Sequence, residues 1–438
     1  MFAALLALAA PAISVDNISD GTEIRYPLVL LKGSASGSTI KVNGLEFPVV
    51  DGKYRALVEL KPGKNDVKLL AGSSVGAIKL AYKPATTKYR VEPIWLVSKD
   101  GDGSYYTTFP GRDQKKFEKF DLALKMMQSF SAEAMNDAGY GRKTFSLDFD
   151  GKGMVKVRQV RLPKTTAELH AMEDGQIWSL AYDTIKTQLP EATTKWAALL
   201  SATSFDPATK KNLSHFALGG GALACFGAGS MDYWPATLGE LPKVWADGTV
   251  IESGSRFEDS AGRSTVWANV STAYGAFLHE LGHTFGLPHT ADRYGIMSRG
   301  FDFFNRRFVI VEPPSKHHAE PMQFGPTEMA YWDPHFAARL NWSKWFQPDR
   351  TDTKDTPGPR IRVDGDKVIF TASQGIRVIG AESDSLPAVW RQFMEKDAPK
   401  QASWSLNWLR NRIGGKGNYR ITVVDGDGNQ ATYEDKRG

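Results

Sequence analysis

The chain has 438 residues, 42% hydrophobic and 24% charged, with a formal net charge of +5 over 54 basic and 49 acidic side chains. That length exceeds what one hydrophobic core serves, about 250–300 residues, so two or three domains are expected, and the scattered Lys and Arg exclude the continuous cationic stripe of a nucleic-acid binder. Cys225 is the single cysteine, which excludes an internal disulfide framework and any C-x-x-C site, so a metal has to rest on His, Asp or Glu.

The first element is an apolar run from Phe2 to Ala10, and Ala10-Pro11-Ala12 places small residues around a cleavage point after Ala12. Together they resemble the end of a secretory signal peptide, although no positively charged n-region precedes them and a plain apolar tail is the competing reading. Residues 1–12 are therefore expected to be a signal-peptide remnant, and the protein extracytoplasmic. The run is too short to cross a membrane, and no other stretch approaches about 18 apolar residues, so no transmembrane segment is expected.

From Ile13 to Lys83 short alternating runs such as Thr39–Val42 and Tyr54–Val58 are separated by Asn43-Gly44 and Asp51-Gly52, two-residue hairpin signals, with Pro62-Gly63 marking another turn. Residues 13–84 read as a small antiparallel sandwich that resembles immunoglobulin-like modules. After Pro84 the period changes. Val91–Val97 predicts a strand, Phe117, Phe120, Leu124, Met127 and Phe130 predict a helix over Lys116–Ala138, and strands follow near Thr144–Phe149 and Val155–Leu162. A helix around Ala167–Leu189 and a strand over Trp196–Thr203 complete a mixed α/β pattern, assigned to a domain spanning 85–350. The segment Gly219 to Gly227 is glycine-rich but carries neither the Lys-Ser/Thr of a P-loop nor a G-x-G-x-x-G order, so a flexible edge segment beside a cleft is expected.

Ala273 to Leu287 carries apolar residues at Tyr274, Phe277, Leu278, Leu281 and Phe285, the spacing of one buried helical face. At about 100° per residue, His279 and His283 stand about 40° and ~6 Å apart on that helix, close enough for two imidazoles to meet one metal. Glu280, one step round, stands where a carboxylate takes a proton from a water at the metal. Gly286 is able to end the helix in the left-handed conformation, Pro288 prevents its resumption, and His289 is placed to return as a third ligand. Three neutral imidazoles leave Zn²⁺ one open position, the mark of a catalytic rather than a closed structural site.

Beyond a polar, Pro-containing linker at Asp355–Pro359, Val363–Ala372 and Tyr419–Tyr433 return to short strands around the turn Asp425–Asn429, so residues 351–438 are read as a β-rich module.

The run His279-Glu280-Leu281-Gly282-His283-Thr284-Phe285-Gly286-Leu287-Pro288-His289 resembles the metzincin zinc signature in full, and Gly295-Ile296-Met297-Ser298 looks like the Met-turn of that clan. More narrowly, the glycine-rich segment, this helix and Gly295–Phe301 with Asn305-Arg306 resemble a family of zinc metallopeptidases best known from fungi, some members of which carry a jacalin-like lectin domain. The likeness spans roughly Tyr89 to Phe346. It implies a metzincin-like α/β (α+β) catalytic domain with a mixed twisted sheet and an active-site helix, here flanked by the two all-β modules. It further implies one catalytic Zn²⁺, Glu280 as general base and then acid, Met297 as structural support, and an edge strand around Gly219–Phe226, with Gly220, Gly221, Ala222 and Leu223, that pairs with an extended substrate. Some metzincins place a tyrosine two residues after the Met, where this chain has Arg299; Tyr294, Tyr331 and His335 are candidate substitutes for the oxyanion partner.

The expected function is zinc-dependent endopeptidase activity on protein or peptide substrates, with the β modules available to bind a surface polysaccharide or protein. Two other readings stand beside it. One is a zinc hydrolase acting on a non-peptide amide of a glycan or cell-wall component; the other is a surface-binding protein with a non-catalytic metal site, against which the intact Glu280 speaks.

Overall fold

The computed structural model describes residues 13–108, 115–252, 254–352, 356–383, 386–413 and 419–435; the expected signal-peptide remnant at 1–12 and Asp355 of the expected linker lie outside the described residues. Seven strands open the chain: β1 (Glu23–Ile24), β2 (Leu28–Ser34), β3 (Thr39–Val42), β4 (Leu45–Val50), β5 (Lys53–Glu59), β6 (Gly63–Ala71) and β7 (Ser74–Tyr82). Their spatial order is β1-β7-β6-β3-β4-β5-β2. Asn43-Gly44 and Asp51-Gly52 take the paired positive φ values, 47° and 87°, and 51° and 72°, that a tight type I′ hairpin requires. The sheet turns a corner within β4, which pairs with β3 over Leu45–Pro48 but with β5 only at Val49 and Val50.

A second sheet carries the chemistry. It is built from β8 (Arg90–Val97), β9 (Arg158–Arg161), β10 (Thr194–Leu200), β13 (Ala217–Gly220) and β14 (Leu223–Gly227), with the small hairpin β11 (Ser204–Asp206) and β12 (Lys211–Leu213) leading into β13. The order is β13-β14-β10-β8-β9; four strands run parallel and β13 alone runs antiparallel to its neighbour β14. Side chains alternate across this sheet as the pleat demands. Trp95, Ala197, Leu199, Ala224 and Phe226 face α1 (Lys116–Asp137) and the long helix α5, whereas Ile94, Trp196, Leu223 and Cys225 face α2 (Thr166–His170) and α3 (Asp174–Lys186). α5 (Val266–Thr284), which follows the one-turn helix α4 (Leu241–Trp245), is buried along nearly its whole length, and Phe277 stacks on Phe226 at 5.7 Å and on Phe120 at 6.0 Å.

Two sequence expectations are corrected here. The single helix over 167–189 is two, because two capping boxes compete for it: Thr165 with Glu168 starts α2, and Glu173 with Gln176 restarts the chain as α3. Residues 144–149 do not form a strand. They contribute one bridge, Phe149 to Val155, and accept backbone bonds from the Val91 amide at the Ser146 carbonyl and from the Lys156 amide at the Asp148 carbonyl.

The short pair β15 (Val311–Glu312) and β16 (Met322–Gln323) leads to α6 (Pro334–Trp342). The C-terminal part holds a three-stranded sheet of β17 (Arg360–Asp364), β18 (Lys367–Thr371) and β21 (Gln401–Ser405), and a four-stranded one of β19 (Ile376–Glu382), β20 (Val389–Gln392), β22 (Tyr419–Asp425) and β23 (Gln430–Asp435), with α7 (Leu406–Arg412) against their common core.

The expected boundary at residue 84 is a change of strand pattern, not of packing. The buried residues of the N-terminal sheet and those around α1 and α5 form one continuous cluster. The fully buried carboxylate of Glu133 on α1 crosses that boundary, accepting from Asn17 Nδ2 at 3.1 Å and Arg142 Nε at 2.6 Å and facing Lys32 Nζ at 3.4 Å. Removing one member of such a buried ionic group strands the others without water or partner. No helix among the described residues is long and apolar enough to cross a membrane.

Candidate metal centre

α5 ends as its sequence predicts. Gly286 adopts φ +81°, its N–H bonds the His283 carbonyl at 3.0 Å, and the Leu287 N–H bonds the Gly282 carbonyl at 3.2 Å, the paired bonds of a Schellman motif. The reversal carries His289 back over the helix. A candidate ligand nitrogen of His279, of His283 and of His289 then lie within 4.8 Å of one another, the one such group of three or more metal-binding side chains among the described residues.

Two of these rings are fixed from behind by backbone. His279 Nδ1 lies 2.8 Å from the Ile296 carbonyl and His283 Nδ1 lies 2.8 Å from the Leu287 carbonyl. A carbonyl only accepts, so each Nδ1 carries the ring proton and each Nε2 presents a lone pair. Those two Nε2 atoms face each other at 3.1 Å. Two lone pairs at that distance repel unless a cation lies between them, and tetrahedral zinc, with Zn–N of about 2.0–2.1 Å, holds its nitrogens about 3.4 Å apart. The residues present therefore fit a zinc ion. Burial, reinforced by His283 and opposed by the Ile296 carbonyl, pushes His279 down to about 3, so its neutral, metal-binding form is the stable one.

Glu280 points to the other side of the helix rim, next to β13. Burial pushes its carboxyl up to about 8, with the Gly219 backbone N–H pulling it back. The contact between β13 and α5 is tight: a Cβ on Gly219 would stand 2.2 Å from the Glu280 carbonyl oxygen. Only glycine lets the strand approach this closely.

The expected edge strand needs new bounds. The edge is β13, Ala217–Gly220; Gly221 and Ala222 form the hairpin turn, and Leu223 begins β14, whose backbone is used on both sides by β13 and β10. Ala222 and Leu223 are buried, so of the four residues named from the sequence only Gly220 lies on the open strand.

Beneath the histidines, Gly295–Ser298 forms a tight turn closed by the Ser298 N–H on the Gly295 carbonyl at 2.9 Å. Met297 is fully buried, and a Cβ on Gly282 would lie 2.4 Å from its sulfur. Of the oxyanion candidates, Tyr331 donates to Asp292 and Tyr294 to Glu328 at 3.4 Å, while His335 is buried against Phe336 with its Nε2 unpartnered. Sequence reasoning missed the supporting parts. Phe301 stands edge-on to His279 at 5.4 Å; Arg299 stacks on Phe301, pairs with Asp302 at 2.5 Å, and is near enough to His279 to help depress it. Arg299 was visible only as a departure from a tyrosine, and the Ile296 and Leu287 carbonyls leave no side-chain signal at all.

Such a constellation, imidazoles on a helix end with a buried carboxylate beside an open strand edge, defines a metallopeptidase. A family model described as "Putative peptidase family" matches residues 12–377, and the chain belongs to that family. Its curated relatives include a "putative zinc metalloproteinase" of Schizosaccharomyces pombe, 28% identical over 435 residues, covering 87% of this chain and 68% of the relative. Another, of Saccharomyces cerevisiae, is 25% identical over 347 residues, 68% of this chain and 49% of the relative, so the chain spans about half of that protein. The protein is a zinc metallopeptidase. Among solved structures, wild-type OgpA of Akkermansia muciniphila is similar with a TM-score of 0.46 and 14% identity over 80% of this chain and 93% of that one.

Proposed function

We propose that the protein is an endopeptidase of metzincin type, with His279, His283 and His289 holding one zinc ion, Gly295–Ser298 as its Met-turn and the N-terminal sheet as an immunoglobulin-like module. The observation that carries this is the pair of Nε2 lone pairs facing each other at 3.1 Å behind proton-bearing Nδ1 atoms. When bound there, zinc acidifies a water molecule and polarises the scissile carbonyl. The chain's own residues do the rest. β13 offers its outer edge, Ala217–Gly220, which pairs with no strand among the described residues, to an extended peptide, which adds as a further strand and brings its backbone alongside Glu280. Glu280, beside that edge, takes the proton of the attacking water and delivers it to the leaving amine.

Glu280→Gln tests the reading. The variant is expected to retain zinc while casein cleavage falls by about 10²–10⁴-fold, the usual worth of a general base; cleavage at the parent rate would remove Glu280 from the mechanism. Parallel digestion of peptidoglycan by the parent protein decides the class of bond, since amide release from the glycan polymer with casein untouched would move the assignment to a cell-wall amide.

A further inference from the structure

The chain through β13 alternates between the two faces of its sheet, residue by residue. Phe216, just before the strand, is buried on the α3 side, and Ala217 packs on the α5 side. Gly219 lies against the Glu280 backbone of α5, and Gly220 turns again to α3, where a Cβ would rest on Trp178 Cζ2 at 3.8 Å with no closer contact. The pleat therefore puts Leu218 on the α3 face as well. Its side chain is 36% exposed, and the next position along that face, Gly220, carries no side chain at all. What lies beneath this gap is braced. Trp178, itself partly buried, packs on Tyr182 with ring centroids 5.1 Å apart, and Tyr182 stands edge-on to the buried Trp196 at 5.3 Å while its hydroxyl donates to Glu191 at 2.8 Å. The α3 face of the edge strand thus presents a leucine at one position and, two residues on, an opening over an indole.

We propose that Leu218, Gly220 and Trp178 form a subsite that selects a large apolar side chain, aromatic above all, in an extended peptide substrate. The inference rests on β13 serving as the strand that the substrate joins. When a peptide adds to a sheet edge, main-chain bonds hold it and its alternate side chains carry the specificity. Residues directly opposite one another on paired strands share a face, so the substrate residues opposite Leu218 and Gly220 both turn toward α3, and the one between them turns toward α5. An aromatic side chain opposite an edge glycine lies across the missing side chain; at Gly220 it reaches the Trp178 indole, and paired rings contribute beyond the area they bury. The two glycines of the strand then have separate parts: Gly219 lets the strand close on α5, and Gly220 leaves room for the substrate.

Mapping the cleavage sites in casein with the full-length, zinc-loaded protein locates the selected position, and a matched pair of peptides built on the best site, with Phe or Ala there, measures the selection. Large apolar residues are expected to be enriched at one position near the cleaved bond, or at two positions two residues apart, and the Phe peptide to exceed the Ala peptide in kcat/KM by about tenfold or more. Gly220→Val fills the opening at a position with ordinary strand backbone and should bring that ratio close to one; Trp178→Ala, which removes the floor, should lower it about tenfold. A merely structural loss lowers both peptides alike and leaves the ratio where it was. Should Trp178→Ala fail to fold, Gly220→Val carries the comparison. Casein cut without apolar enrichment, or a ratio that neither variant changes, overturns the subsite alone, whereas casein left uncut by the parent protein removes the endopeptidase reading and the subsite with it.

Discussion

At Gly286 the chain meets two constraints at once. The left-handed φ of +81° costs a side chain about 1–2 kcal/mol, and a Cβ there would stand 1.7 Å from Gln430 Nε2, so the Gln430 amide would have to swing off its bond with Arg339. Gly286→Ala is therefore expected to destabilise by about 2–4 kcal/mol and to lower zinc content, because the same bend delivers His289; urea denaturation and metal analysis of one preparation check both, and a variant with parent stability would show that the bend is not strained. At this scale the site's chemistry was legible because it lies within eleven consecutive residues. The orientation of the imidazoles was not, since it comes from carbonyls at Leu287 and Ile296, which any residue supplies.

The segment after the tight turn is locked to α5 by a buried polar network. Asp302 accepts from Thr272 at 3.0 Å and faces Arg263 at 3.7 Å, and Arg306 grips Glu312 with two bonds of 2.9 Å. Both partners of that last pair are at most 5% exposed, so Glu312→Ala leaves a buried guanidinium uncompensated and should cost about 3–5 kcal/mol, read as a shift in the denaturation midpoint; a shift several times smaller would mean water reaches Arg306. Asp333, which starts α6, titrates in the accessible range. Its Oδ1 accepts from Thr290 at 2.7 Å while Oδ2 has no partner. Burial pushes it up to about 7, with Thr290 opposing and Asp292 adding to the rise. Between about pH 4 and pH 7 the folded chain holds a proton that the unfolded chain has released, so this residue's contribution to stability falls as pH rises through that window. In metal-free protein Asp333→Asn should flatten the decline; an identical slope in both proteins would clear Asp333 of the effect.

Helices α1 and α5 could be read from their helical spacing of apolar residues, and β8 and β10 as short, nearly continuous apolar runs. β19 could not. All seven of its residues are buried, the charged Arg377 and Glu382 among them, so its hydropathy does not alternate with its two faces. β13 was displaced by a few residues for a related reason, since glycine-rich text carries no face and only the positive φ at Gly221 fixes where the hairpin turns.

Over the whole molecule, the buried core runs without a break through residue 84, from the N-terminal sheet to α1 and α5. A chain begun at residue 85 would expose the face of α1 that packs on β2 and leave Glu133 without Asn17 and Lys32. It is expected to be insoluble or to lack cooperative unfolding in calorimetry; a soluble, monomeric, cooperatively folded truncation would restore a separable module. The C-terminal sheets have a core of their own, yet they reach the metal bend through Arg339, which bonds Glu382, the Gly286 carbonyl and Gln430 at once. During synthesis the histidine signature leaves the ribosome well before Gln430 does. A chain stopped before Gln430 thus lacks the brace on the bend that carries His289; weaker zinc retention by a chain stopped after residue 377 is the corresponding measurement.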